Sequence, residues 1–152
     1  MELRQRSQAE FARLLLPLAR RWRRKADDAV ADLGLSHASG WTLLHIGRLG
    51  DKEGVRQAEL ADALDMRAPS LIPQIDRLQA AGLIVREALG HDRRANRLRL
   101  TCDGRMLVGR IETALGTIRD AFFEGVSQSD VDAALRVLTH LDKSLAAASQ
   151  AD

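Results

Sequence analysis

From Phe11 onward, apolar residues recur at Leu14 and Leu15, Leu18, Trp22, Ala26, Ala29 and Val30, and Leu33. Steps of three and four place them on one stripe of a long helix, which Gly34 should end. Pro17 falls inside the stripe and is expected to kink the helix or to mark where its regular part begins. Ser36 suits the cap of a second helix, with Trp41, Leu44, His45 and Leu49 along one side and Gly50 as its stop. After a short extended segment at Val55, Glu59, Leu60, Ala61 and Leu64 read as a compact helix. Beyond a tight connection at Asp65 to Arg67, Leu71, Ile75 and Leu78 mark another helix, stopped by Gly82. Two short helices joined by a few residues form the helix-turn-helix pattern.

The period then changes. Leu83 and Val85 lead to a turn at Gly90, after which Arg97, Leu98, Arg99 and Leu100 alternate strictly, so two strands around GHDRRAN predict a β-hairpin. Thr101 should cap a long helix carrying Leu107, Ile111, Leu115, Ile118 and Phe122. Ser127, with Asp130 three residues on, starts the last helix through Val131, Leu135, Leu138, Leu141 and Leu145, and the tail from Ala146 is expected to fray. A helix-turn-helix followed directly by a hairpin is a winged helix. The predicted fold is therefore mainly α with a small β-hairpin wing, and the outer helices carry longer apolar stripes than the central unit can cover. A second copy of the chain is the simplest cover.

Composition agrees with a helical, aliphatic core. Of 152 residues, 45% are hydrophobic but only 3% aromatic, with no Tyr and three Pro. The length suits one soluble domain, and no run of eighteen apolar residues suggests a membrane span. The apolar run Leu14 to Leu16 is cut by Pro17 and followed by arginines, too short for a signal peptide, so a cytoplasmic location is expected. Cys102 is the single cysteine, and His37, His45, His91 and His140 lack metal-ligand spacing, so no metal or cofactor is expected. Without a nucleophile and base constellation or a phosphate-binding glycine loop, an enzyme is disfavoured.

Charge nearly balances overall, 23 Lys and Arg against 21 Asp and Glu, but it is unevenly spread. Arg86, Arg93, Arg94, Arg97, Arg99 and Arg105 crowd the hairpin and its exit against Glu87, Asp92 and Asp103. The last helix is acidic. An arginine-rich hairpin alone could be a solvated edge that discourages aggregation. Beside a helix-turn-helix it is the footprint expected of a wing presented to phosphates, which makes duplex DNA the expected partner.

The run QAELADALDMRAPSLIPQIDRLQAAGLIVREALGHDRRANRLRLTCDGRML resembles the core of the MarR family of winged-helix transcriptional regulators. Outside it, ARRWRRKADD, Gly34-Leu35-Ser36 with Trp41, Leu44 and His45, and Pro69-Ser70-Leu71 are similar to the SlyA branch, so the resemblance spans roughly residues 10 to 145. It implies a homodimer built by helices at about 8–35 and 102–148, with a DNA-binding lobe at about 36–101. Such a dimer would bind a pseudo-palindromic operator, with half-sites about one helical turn (~34 Å) apart. It also implies regulation of transcription, with repression the expected sense, and release of DNA by small aromatic or phenolic anions.

Residue by residue, Arg67, Pro69, Ser70, Gln74 and Arg77 fall at the start and outer side of the expected reading helix. Arg67 suits a phosphate, Gln74 adenine, and Ser70 a phosphate or base edge unless it serves only as a cap. Pro73 departs from the branch, which commonly has a basic or polar residue there. Arg86, Asp92, Arg93, Arg94 and Arg97 belong to the wing. Arg94 is the resemblance's minor-groove residue, and Asp92 is suited to orienting a neighbouring arginine. Arg23, Trp41 and His45 match effector-pocket positions, the alternative being ordinary packing. Cys102, at the first turn of a helix beside basic residues, raises a redox reading. Single-cysteine sensors among the relatives, however, place that cysteine in the first helix near tyrosines. The competing functions are a winged-helix protein-interaction adaptor that has lost base reading at Pro73, and a redox-sensing regulator acting through Cys102.

Overall fold

The computed structural model describes residues 2–50, 54–89 and 92–149, apart from the side chains of residues 2, 88, 89, 92–96 and 149. The elements run α1 (Glu2–Ala31), α2 (His37–Leu49), β1 (Val55–Arg56), α3 (Gln57–Ala63), α4 (Ala68–Ala80), β2 (Ile84–Leu89), β3 (Asp92–Leu100), α5 (Cys102–Phe123) and α6 (Gln128–Ser149). The chain divides into two compact units, Met1–Ile118 and Arg119–Asp152.

The first unit holds the aliphatic core. Leu43, Leu44, Leu60, Leu71, Ile75, Leu78, Ile84, Leu98 and Ile111 are almost wholly buried, each drawn from the apolar stripe of its own element. The expected caps form. Ser36 Oγ accepts from the Ser39 backbone N–H at 3.2 Å, Gly50 closes α2 on the Ile46 carbonyl, and Thr101 Oγ1 accepts from the Gly104 N–H at 3.0 Å. Gly104 is also a point of close approach: a Cβ there would strike the Leu83 carbonyl, so only glycine lets α5 start against the backbone that leads into β2. Arg48 of α2 meets Glu112 of α5 fork to fork, at 2.7 and 3.1 Å.

The hairpin gains a third strand. β1 pairs antiparallel with β3, Val55 opposite Leu98, giving the order β1-β3-β2. The extended segment at Val55 is thus part of the wing's sheet. Pro17 neither begins α1 nor ends it, since the helix runs from Glu2 through it. Pro17 is exposed, so water can take the carbonyl that loses its partner. Pro73 sits inside α4 in the same exposed fashion.

In the second unit, Ser127 Oγ accepts from the Asp130 N–H at 3.2 Å and starts α6 as its sequence suggests. The helix persists to Ser149 rather than fraying at Ala146, because Ala146, Ala147 and Ala148 are the best of helix formers. The rest of that tail, 150–152, lies outside the described residues.

Candidate nucleic-acid interface

The turn between α3 and α4 is closed by two backbone bonds, Met66 N–H to the Ala61 carbonyl and Asp65 N–H to the Asp62 carbonyl. Asp65 takes φ 51°, a left-handed geometry that aspartate tolerates better than most residues. Leu71, Ile75 and Leu78 face the core, which turns Arg67, Pro69, Ser70, Pro73 and Arg77 outward. Arg67 holds the N-cap position and Pro69 the second helical position, so Ser70 lies inside the first turn, exposed, and is not the cap. Gln74 is half-buried, and its Oε1 accepts from Arg77 Nη1 at 3.4 Å.

Strand alternation sorts the wing. Ile84 and Arg86 stand opposite Leu100 and Leu98, while Val85 and Glu87 stand opposite Arg99 and Arg97. Arg86 therefore shares the face of buried Leu98 and half-buried Leu100. Its Nη2 donates to Asp76 Oδ1 of α4 at 2.5 Å. On the other face Arg99 Nη1 donates to both oxygens of Glu87 at 3.0 Å, a diagonal cross-strand pair. Arg97 Nη1 reaches the Gly54 carbonyl at 3.4 Å, bracing β3 on the approach to β1. Asp92, Arg93 and Arg94 lie on β3, Asp92 paired with Leu89, but their side chains are outside the described residues.

A second group joins α1 to α2. Trp41 Nε1–H donates to Asp27 Oδ1 at 2.5 Å, and Arg23 Nε donates to the same oxygen at 3.0 Å. The Arg23 guanidinium carbon lies 4.0 Å from the Trp41 ring centroid, a cation-π distance. His45 Nδ1 donates to the Trp41 carbonyl at 2.9 Å, and the two rings stand 6.3 Å apart. Partial burial opposes ionisation of Asp27. The bonds from Trp41 and Arg23, with the charges of Arg23 and His37, outweigh it and hold the carboxyl below its usual range. Cys102 is exposed, and Arg105 Nη2 donates to its sulfur at 3.2 Å.

This architecture has known counterparts. The family model of the MarR family matches residues 33–95. The crystal structure of transcriptional regulator PA3341 is 32% identical, over 89% of this chain and 97% of that one, with a TM-score of 0.79. The chain belongs to the MarR family. Two more distant structures share the fold of this MarR-family chain. MepR of S. aureus in complex with DNA is 21% identical, over 88% of this chain and 97% of that one, with a TM-score of 0.75. CouR from Rhodococcus jostii RHA1 bound to p-coumaroyl-CoA is 23% identical, over 84% and 88%, with a TM-score of 0.71.

Within this MarR-family winged helix, the residues expected from sequence fall into three places. Arg67, Pro69, Ser70, Gln74 and Arg77 share α4 and its cap, Arg86 and Arg97 brace the wing, and Arg23, Trp41 and His45 gather between α1 and α2. Three side chains of the same groups escaped notice in the sequence. Asp27 joins Arg23 to Trp41, Asp76 holds Arg86, and Ile72 leaves an apolar side chain 47% exposed on α4. Asp27 lies four residues from Arg23, a helical ion-pair spacing that was there to be read. Among the described residues, no helix is long and apolar enough to cross a membrane.

Proposed function

We propose that this MarR-family protein binds duplex DNA sequence-specifically as a homodimer on a pseudo-palindromic operator, and that it represses transcription. The observation that carries the proposal is the outward face of α4, where Arg67, Ser70 and Arg77 are exposed beside a wing whose base is braced to the same helix. In this reading α4 enters the major groove. Arg67 and Ser70 meet phosphate, Gln74 and Arg77 meet base edges, and Ile72 packs on a thymine methyl. Arg93 and Arg94, positioned by Asp92, follow the backbone and the minor groove.

The dimer would be built by the helices at about 8–35 and 102–148. Support comes from apolar side chains left exposed within each unit: Phe11, Leu14, Leu15 and Leu18 on α1, and Leu135, Leu138, Leu141 and Leu145 on α6. The pair Arg23 and Trp41, with His45 behind, would hold a small aromatic anion that releases DNA. Asp27 takes Nε of Arg23, so the anion would meet the terminal nitrogens of the guanidinium, which suits a carboxylate.

Selection of bound fragments from a random duplex library tests the central claim. Recovery of an inverted repeat with half-sites about one helical turn apart supports it. Recovery of no sequence preference would favour an adaptor that docks protein instead.

A further inference from the structure

The outward side of α4 is apolar where the helix begins. Pro69 and Pro73, four residues apart, stand on one face, and Ile72, three residues from Pro69, lies beside both. All three are exposed, Ile72 to 47%. The next carboxylate along, Asp76, is held by Arg86. Ser70, Gln74 and Arg77 make a separate polar row at the same helical spacing.

A single exposed isoleucine is ordinary on a protein surface. Its setting is not. Pro69, at the second helical position, removes only an N–H that has no helix partner, whereas Pro73 leaves the Pro69 carbonyl without its donor. Because Pro73 is exposed, packing within the unit does little to offset that loss. From residue 69 to residue 73 the ridge rises about 6 Å along the helix. Laid along a groove, it covers about two base pairs, at a rise of about 3.4 Å each. The apolar group that the major groove offers at that depth is the thymine methyl. Arg67 before the ridge and Arg77 after it are exposed cations, placed for phosphates on either side.

We propose that the ridge of Pro69, Ile72 and Pro73 recognises thymine methyl groups on two adjacent base pairs of each half-site, so that sequence is chosen there by apolar contact and not by hydrogen bonds. This assignment rests on the proposed DNA binding. It makes Pro73 a reader of bases and not a position where base reading was lost.

The test starts from an operator selected out of a random duplex library with the full chain. Each thymine is replaced singly by deoxyuridine, which removes the methyl group and keeps every hydrogen-bonding edge. Competition titration should show one pair of adjacent positions in each half-site where affinity falls about fourfold per methyl, the factor that matches burial of one such group. At those positions a pair of guanine with 5-methylcytosine should bind more tightly than one with cytosine. In Ile72→Ala and Pro73→Ala the uracil penalty should shrink towards onefold at one position of the pair. Both side chains are exposed and alanine is the better helix former, so the variants should keep their circular dichroism spectra. If a palindromic operator is bound but no uracil substitution weakens it, methyl reading is overturned and DNA binding stands. A uracil penalty undiminished in both variants also overturns it, since the methyls then act through duplex shape. Recovery of no preferred sequence removes the DNA reading and this assignment with it.

Discussion

Arg86 of the wing and Asp76 of α4 are joined by an ion pair, although ten residues and the turn at Gly82 that leads from α4 into β2 separate them along the chain. The pair reaches from the core-facing side of β2 to an exposed position on α4. It spends an arginine of the basic wing on holding the wing's angle to the helix.

If Arg86 is a brace, Arg86→Ala and Asp76→Ala should weaken operator binding by similar factors, and the double variant should be no worse than either. In unfolding experiments the pair should show a coupling energy of roughly 0.5–1 kcal/mol. The slope of affinity against salt should not change. A slope reduced by about 1 in Arg86→Ala alone would make Arg86 a phosphate contact instead.

Arg94→Ala is the contrasting case. It should weaken binding to all sequences and lower the salt slope by about 1, whereas Gln74→Ala and Ile72→Ala should alter preference at particular base pairs. Competition titrations against a set of single-base operator variants, repeated at two salt concentrations, separate the two behaviours.

Asp27 predicts a pH dependence of stability. Its carboxyl is held below the ordinary value of 3.8 in the folded protein, so its stabilising contribution is complete above that value. The contribution is lost as pH falls through the lower folded-state value. Asp27→Ala should therefore be less stable than the wild type by about 1–2 kcal/mol at pH 7, by loss of the Trp41 and Arg23 bonds, and the gap should narrow in acid. Denaturant titrations at pH 7 and pH 3 measure it. An equal gap at both would mean that packing, and not the charge, is what the variant removes.

Gly104→Ala should cost about 1–3 kcal/mol, since its methyl group meets the Leu83 backbone carbonyl, which cannot swing aside. Gly109→Ala in the same helix meets open space and should be neutral or mildly stabilising. Thermal unfolding of the two variants side by side is a direct check.

Much of this architecture was legible from periodicity and punctuation. The steps of Leu71, Ile75 and Leu78 defined the inner face of α4, and Ser36, Gly50, Thr101 and Ser127 marked ends that the structure closes with hydrogen bonds. What escaped was partnership across distance. β1 is two residues long, too short to show alternation, and its mate is on β3. The arginines between 86 and 105 could be counted as a basic patch, yet Arg86, Arg97, Arg99 and Arg105 all donate to groups within the protein. Parity gave one clue: Arg86 has the register of Ile84, so it had to face inward with it. Pro17 and Pro73 both lie inside their helices, where a lost helix bond is cheap if the carbonyl can reach water.

The short β1 has a consequence for how the wing moves. The contact from Arg97 to the Gly54 carbonyl beside it spans 43 residues of chain, while each turn of the β2 and β3 ladder closes a loop far smaller. The third strand is thus expected to join last during folding and to open first in the native state, well below the energy of global unfolding. Amide exchange should then be faster in the β1 and β3 ladder than in the β2 and β3 ladder. The wing would swing on a two-residue hinge pin, set loose and latched again many times during the lifetime of the folded core.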